Sequence, residues 1–281
     1  MMVGGDTRLS GKTILVTGGG RGIGREIARY FGRMGCNVAI CGRHREVLEK
    51  SAGEFQAEGI ESLALVCDVT DPGQCANTAA AVTERFGSLD ILVNNAGMTM
   101  RGMFADISLE LFHTITEVNF NGSVNMTHAA LPALIKSGGS VVFISSLAGL
   151  KGLPGVAPYC SSKMALTALG ESLRMELSPR VHVGVLYVSF TENGPDKTMY
   201  NPKGELIPLK REKTASTQLD VARACHRLVR RRKRRVVMTA AGKAIRGLYR
   251  FLPDVSETII ARFSRGSSLY AYDRMEGDGG E

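Results

Sequence analysis

No two cysteines in this chain have the Cys-x-x-Cys spacing and no two histidines the His-x-x-x-His spacing, so zinc sites and redox dithiols lack their usual ligand sets and no metal is expected. The six cysteines (Cys36, Cys41, Cys67, Cys75, Cys160, Cys225) are scattered, several inside apolar runs where thiols pack as small core residues. That usage suits a reduced, cytosolic compartment. Residues 1–11 lack the apolar core of a secretory signal, and no window approaches the roughly 20 apolar residues of a membrane span. There is no internal repeat. What the chain does have is an ordinary globular composition, 44% hydrophobic and 22% charged, enough for one extended core.

The net charge of +8 is local. Residues 223–265 carry 13 Lys or Arg against Asp254 and Glu257, a charge of +11 that leaves the rest of the chain at −3. The densest run, 230–235, has no aromatic residues interleaved for stacking on bases, so nucleic acid is not an expected partner.

Apolar runs alternate with helical stretches along most of the chain. Strands are predicted at 12–17, 37–41, 62–67, 91–93, 140–145 and 181–188, and helices at 23–34, 45–58, 71–86, 108–134 and 158–177. Strands that are apolar throughout imply a parallel sheet covered on both faces, and right-handed crossovers make it an α/β, doubly wound, Rossmann-type fold. The polar stretch 189–217, with Pro195, Pro202 and Pro208, is too long for a plain connector and is expected to be a lid or flexible loop. Beyond it come a helix at 218–230, a short strand at 236–238 and a helix at 242–252. The expected organisation is one catalytic domain at 1–239, a basic amphipathic helical extension at 240–269, and a disordered tail at 270–281.

Thr17-Gly18-Gly19-Gly20-Arg21-Gly22-Ile23-Gly24 falls where the first strand becomes the first helix. Glycines there allow a tight turn and a close approach to a pyrophosphate, whose charge the helix N-terminus favours. The second strand ends Cys41-Gly42-Arg43-His44-Arg45 with no carboxylate to accept from ribose hydroxyls. Arg43, with Arg21 from the turn, suits a 2′-phosphate, so the pattern favours NADP(H) over NAD(H); the duller reading is two solvated arginines. Asp68, with Val69 beside it, is placed to accept from an adenine amino group, or else to cap the next helix. Asn94-Asn95-Ala96-Gly97 ends the fourth strand with small residues that let a ring or sugar come close, or forms a simple turn.

Tyr159 and Lys163 lie one helical turn apart on the same face. A phenol titrates near ~10, too high for acid–base work at neutral pH, and a neighbouring ammonium favours the phenolate. Ser146, just past the fifth strand, could hydrogen-bond a substrate oxygen, and Asn119 could hold a water linking Lys163 to solvent. Each taken alone has a structural explanation. Their order behind a dinucleotide turn is what makes coincidence a poor one.

These residues resemble those of the short-chain dehydrogenase/reductase family, in its short-subunit subgroup. Gly18, Gly22, Gly24, the Asn94–Gly97 segment, Asn119, Ser146, Tyr159 and Lys163 match its motifs in order and spacing, over about residues 9–188. The resemblance implies a single Rossmann-type domain with a seven-stranded parallel sheet and a homo-oligomer. It also implies Tyr159 as general acid–base, Lys163 as the partner that lowers its pKa and binds ribose, Ser146 as carbonyl orienter and Asn119 as water holder. In one place the chain departs from the family. Where members carry Pro-Gly after the sixth strand, touching the nicotinamide amide, this chain has Val188-Ser189-Phe190-Thr191.

Residues 147–156 with Met98, Met100 and Met103 are expected to edge the pocket, which suggests an apolar substrate, although methionine also serves as core filler. The basic amphipathic pattern at 242–252 and 259–263 reads equally as a peripheral membrane contact or as a helix packed on the protein. Two functional classes stand at this point. One is an NADP(H)-dependent oxidoreductase acting on a ketone or secondary alcohol of 3-oxoacyl, steroid or keto-sphingoid type. The other is a non-catalytic NADP(H) sensor or scaffold, which would have no need of the acid–base set.

Overall fold

The computed structural model describes residues 8–194, 197–209 and 216–264. Seven parallel strands form the central sheet: β1 (Thr13–Thr17), β2 (Asn37–Gly42), β3 (Ser62–Val66), β4 (Ile91–Asn94), β5 (Ser140–Ser146), β6 (His182–Val188) and β9 (Arg235–Val237). Their spatial order is β3-β2-β1-β4-β5-β6-β9. β1 and β6 are buried along their whole length, which explains why their sequences are apolar without alternation.

One face of the sheet is covered by α1 (Gly22–Arg33), α2 (Arg45–Ala57) and α7 (Gln218–Arg230), whose Phe31, Phe55 and Leu228 are fully buried among the strand side chains. The other face is covered by α3 (Pro72–Phe86), α5 (Gly122–Ser137) and α6 (Ala157–Leu177), through Val82, Leu134 and Leu166. Each such side chain contributes roughly 1.5–3 kcal/mol when taken fully from water. The chain turns back between β1 and β4, and the carboxyl ends of those strands border the crevice where this topology takes ligands.

The stretch expected as one helix at 108–134 is divided. It consists of α4 (Leu109–Thr116), a π-helical turn (Glu117–Asn121) and α5. The wider turn re-aims Asn119 inward, as such bulges do where a side chain must leave the helical register. Of the stretch expected as a lid or flexible loop at 189–217, the described residues 197–209 form regular structure. They hold an antiparallel hairpin of β7 (Thr198–Tyr200) and β8 (Leu206–Pro208), docked by a bridge between Tyr200 and Met100. The C-terminal helices are α8 (Ala240–Phe251) and α9 (Pro253–Ser264); the tail expected to be disordered at 270–281 lies outside the described residues. All six cysteines are buried thiols. No helix among the described residues is long and apolar enough to cross a membrane.

Candidate active site

At the end of β1 the chain turns through Gly18, whose φ of +63° favours glycine. The turn is pinned from three sides. The Gly18 amide donates to the Cys41 carbonyl at 2.8 Å, Ser51 Oγ donates to the Gly20 carbonyl at 2.8 Å, and Asn95 Nδ2 donates to the Thr17 carbonyl at 2.9 Å. Thr17 Oγ1 in turn accepts from the amides of Asn95 and Ala96, each at 2.9 Å. A Cβ on Gly24 would stand 2.4 Å from both Asn95 Nδ2 and the Gly18 carbonyl, so only glycine lets α1 begin this close to the turn. Arg21 is the N-cap in extended conformation and supplies no side-chain bond, as at the starts of α2 and α6, whereas Asp71, Ser108, Thr217 and Thr239 cap their helices with side chains. The first amides of α1 therefore lack the local side-chain acceptor those helices have, as a phosphate-binding turn requires. Ile23 packs onto the core beneath.

Beyond the ends of β2 and β3, a cavity of about 720 Å³ is lined by Arg43, Asp68 and Thr70 on one side and by Glu110, His113, Thr114, Glu117 and Val118 on the other. Arg43 is exposed and Val69 buried. Asp68 does not cap α3; Asp71 does so, accepting from the amides of Gly73 and Gln74. Asp68 Oδ1 instead accepts from the amide and hydroxyl of Thr70, at 3.0 and 2.9 Å. The wall from α4 was invisible in the sequence, because only the sheet order brings residues 110–118 opposite Arg43. The cradle of small residues, the open helix start and a cavity with an arginine at one end all fit an adenine dinucleotide.

Tyr159 and Lys163 sit near the start of α6. Lys163 Nζ lies 5.9 Å from the centre of the Tyr159 ring and donates to the Ile144 carbonyl at 3.0 Å, so the ammonium is held against β5. Lys163 is buried, and that burial, with a smaller effect of the like charge on Lys197, lowers its pKa to about 8. Ser145 Oγ donates to the Lys163 carbonyl at 3.0 Å, fastening α6 to β5. Ser146 follows at the end of β5, opposite Val188 of β6, and its Oγ accepts from the Ala148 amide at 3.2 Å. Gly97 closes the group, since a Cβ there would lie 2.9 Å from Asn119 Oδ1 and 3.4 Å from Lys163 Nζ.

The Asn119 amide is engaged with the chain itself. Its Oδ1 accepts from the Met98 amide at 2.8 Å, and its Nδ2 donates to the Met98 carbonyl and to Ser162 Oγ, each at 3.0 Å. Both amide protons are thus used to tie the segment after β4 to α6. The pocket edge needs correction. Met100 is fully buried in a small separate core with Leu111 and Ile115, so it is packing and not pocket lining.

After β6, Ser189 and Thr191 are buried and their hydroxyls both meet Ser216 Oγ, at 3.1 and 3.0 Å, while Phe190 between them is exposed. Where Pro-Gly was absent, a hydroxyl cluster ties the strand end to the approach of α7. The loop from Leu147 onward is covered from outside by the C-terminal helices, through an ion pair of Lys151 with Glu257 at 2.9 Å.

A family model described as short chain dehydrogenase matches residues 12–201. Dehydrogenase/reductase SDR family member 7B of Bos taurus is 37% identical over 58% of this chain and 53% of its own length. The 11-beta-hydroxysteroid dehydrogenase-like protein 4A of Arabidopsis thaliana is 32% identical over 79% of this chain and 73% of its own. The chain thus spans about half the length of the cattle protein. Among solved structures, actinorhodin polyketide ketoreductase with NADPH is similar at a TM-score of 0.63 and 35% identity, over 66% of this chain and 72% of that one.

Proposed function

We propose a function from one premise: this chain belongs to the short chain dehydrogenase family. It is an NADP(H)-dependent oxidoreductase that interconverts a ketone and a secondary alcohol on an apolar, lipid-like skeleton. The observation that carries this reading is the buried Lys163 ammonium one turn from Tyr159, beside Gly97 and at the carboxyl end of β5.

In the reducing direction Tyr159 gives its phenolic proton to the carbonyl oxygen as the carbonyl carbon gains a hydride, so C=O becomes CH–OH. Lys163, held by the Ile144 carbonyl, stabilises the phenolate left behind and is the means by which a phenol works near neutral pH. The Ser146 hydroxyl orients the carbonyl oxygen by a hydrogen bond. Bound nicotinamide supplies the hydride. Thr17, Gly18, Gly20, Gly22 and Gly24 with the start of α1 would hold the pyrophosphate, and Asn95, Ala96, Gly97 and Val188 border the nicotinamide half. Arg43, in a strand end without a carboxylate, supports the 2′-phosphate form.

Support for an apolar substrate comes from half-buried Leu147, Leu150 and Leu153 in the loop before Tyr159, and from exposed Phe190 at the end of β6. The names of two relatives refer to hydroxysteroid and polyketide chemistry, both on extended carbon skeletons. The test is Tyr159→Phe, assayed by NADPH oxidation across ketones of increasing chain length. Turnover should fall by roughly 10²–10⁴ with NADPH binding retained. Unchanged turnover would remove Tyr159 from the reaction.

A further inference from the structure

The basic C-terminal segment is divided by the fold into two places. Arg235 enters β9 opposite Val185, the Lys233 carbonyl meets His182 Nε2 at 3.0 Å, and Arg232 Nη1 reaches the Gly138 carbonyl. His182 begins β6 and Gly138 precedes β5, so the run 230–235 lies at the amino edge of the sheet. Tyr159, Ser146 and Val188 lie at the carboxyl edge. The α8–α9 hairpin is at that carboxyl edge too: Glu257 pairs with Lys151, and a Cβ on Gly242 would come 2.9 Å from Leu147 Cδ2. The hairpin thus shares the rim of the candidate active site, and the arginine run does not.

The outward surface of the hairpin is apolar at its corner and basic along its sides. Phe251, Leu252, Val255 and Ile259 are 77, 52, 48 and 41% exposed, a density of uncovered large side chains found nowhere else on one stretch of the described chain. Lys243, Arg246 and Arg250 fall at i, i+3 and i+7 on α8, and Arg262 continues the stripe of Val255 and Ile259 on α9. Of the two carboxylates here, Glu257 is already paired with Lys151. Phe190, just past the carboxyl end of β6, is also exposed at that edge.

We infer that this rim is a docking surface for an anionic phospholipid bilayer, with Phe251, Leu252, Val255 and Ile259 entering the headgroup boundary and Lys243, Arg250 and Arg262 meeting lipid phosphates. An apolar wedge flanked by cations is complementary to that surface on both counts. A second copy of the chain fits less well, because a two-fold contact would set these cations against their own equivalents. The inference concerns a surface, and it stands whether or not the proposed reaction does.

The full chain is floated with vesicles of phosphatidylcholine alone and of phosphatidylcholine mixed with phosphatidylglycerol. Binding is expected to the mixed vesicles, and to fall as salt rises. F251E/V255E/I259E should lower the bound fraction roughly tenfold or more, and K243E/R250E, which spares the apolar corner should the triple variant misfold, should do likewise. R231E/K233E, at the opposite edge, should bind as the wild type does. Far-ultraviolet circular dichroism checks each fold. The inference is overturned if the wild type does not float, if both hairpin variants float as well as it does, or if R231E/K233E alone abolishes binding. It is equally overturned if no vesicle is bound and the triple variant turns a dimer into a monomer by light scattering, which would make a second copy the occupant.

Discussion

Arg43 illustrates how much one side chain at a strand end can decide. It is an exposed guanidinium on the rim of the cavity shared by Asp68 and α4, and the proposed NADP(H) reading has it meet the 2′-phosphate. Charge-assisted bonds of this kind contribute about 1.5–3 kcal/mol, which converts to roughly 10–150-fold in affinity. Arg43→Ala should therefore weaken NADPH by about that factor while changing NADH little, as read by nicotinamide fluorescence titration. Equal losses for both would show that Arg43 does not read the phosphate. Glu110 and Glu117 on the opposite wall add negative charge to the same cavity, so the arginine is the cation that offsets them there.

At the scale of elements, the β7–β8 hairpin is coupled to the proton-transfer group. Lys197, just before β7, adds its charge to the burial that depresses Lys163 to about 8. Burial disfavours the ammonium, so the proposed proton relay keeps its protonated lysine below that value and loses it as pH rises through it. The pH profile of kcat/KM for reduction should have an alkaline limb near 8. Lys197→Ala should move that limb upward, because one of the two effects lowering the pKa is gone. An unmoved limb would uncouple the hairpin from the site. The π-helical turn acts at the same scale. It converts a helix that would have carried Asn119 past the site into one that fastens Met98 to Ser162.

For the whole molecule, His182 joins the sheet near its edge, between Ser140 of β5 and the Lys233 carbonyl that leads into β9. Burial pushes its pKa down to about 4, the bond to Lys233 opposes the shift, and Arg232 and Arg174 add to it. An unfolded histidine titrates near ~6.5, so the unfolded state binds more protons between those values. Stability is complete above ~6.5 and falls with pH towards 4, by about 2 kcal/mol at pH ~5. Urea unfolding of the wild type and of His182→Gln at neutral and mildly acid pH should show a shallower acid loss in the variant; parallel losses would exclude His182 as a source.

What the sequence determined alone was whatever contiguous residues encode. Unbroken apolar runs gave buried parallel strands, glycines after the first run gave the turn, and a Tyr and a Lys four apart share a helix face wherever the helix goes. It also marked 223–265 as basic. Only the tertiary structure decided which of those cations share the edge of the sheet that carries the site, since the arginine run stays at the amino edge and β9 returns the chain so that α8–α9 lies at the other. Tertiary contact likewise buried Met100, spent the Asn119 amide on Met98 and Ser162, and set Glu110 and His113 across from Arg43. These are pairings between segments far apart in the chain, and local periodicity carries no record of which strand a segment will lie against.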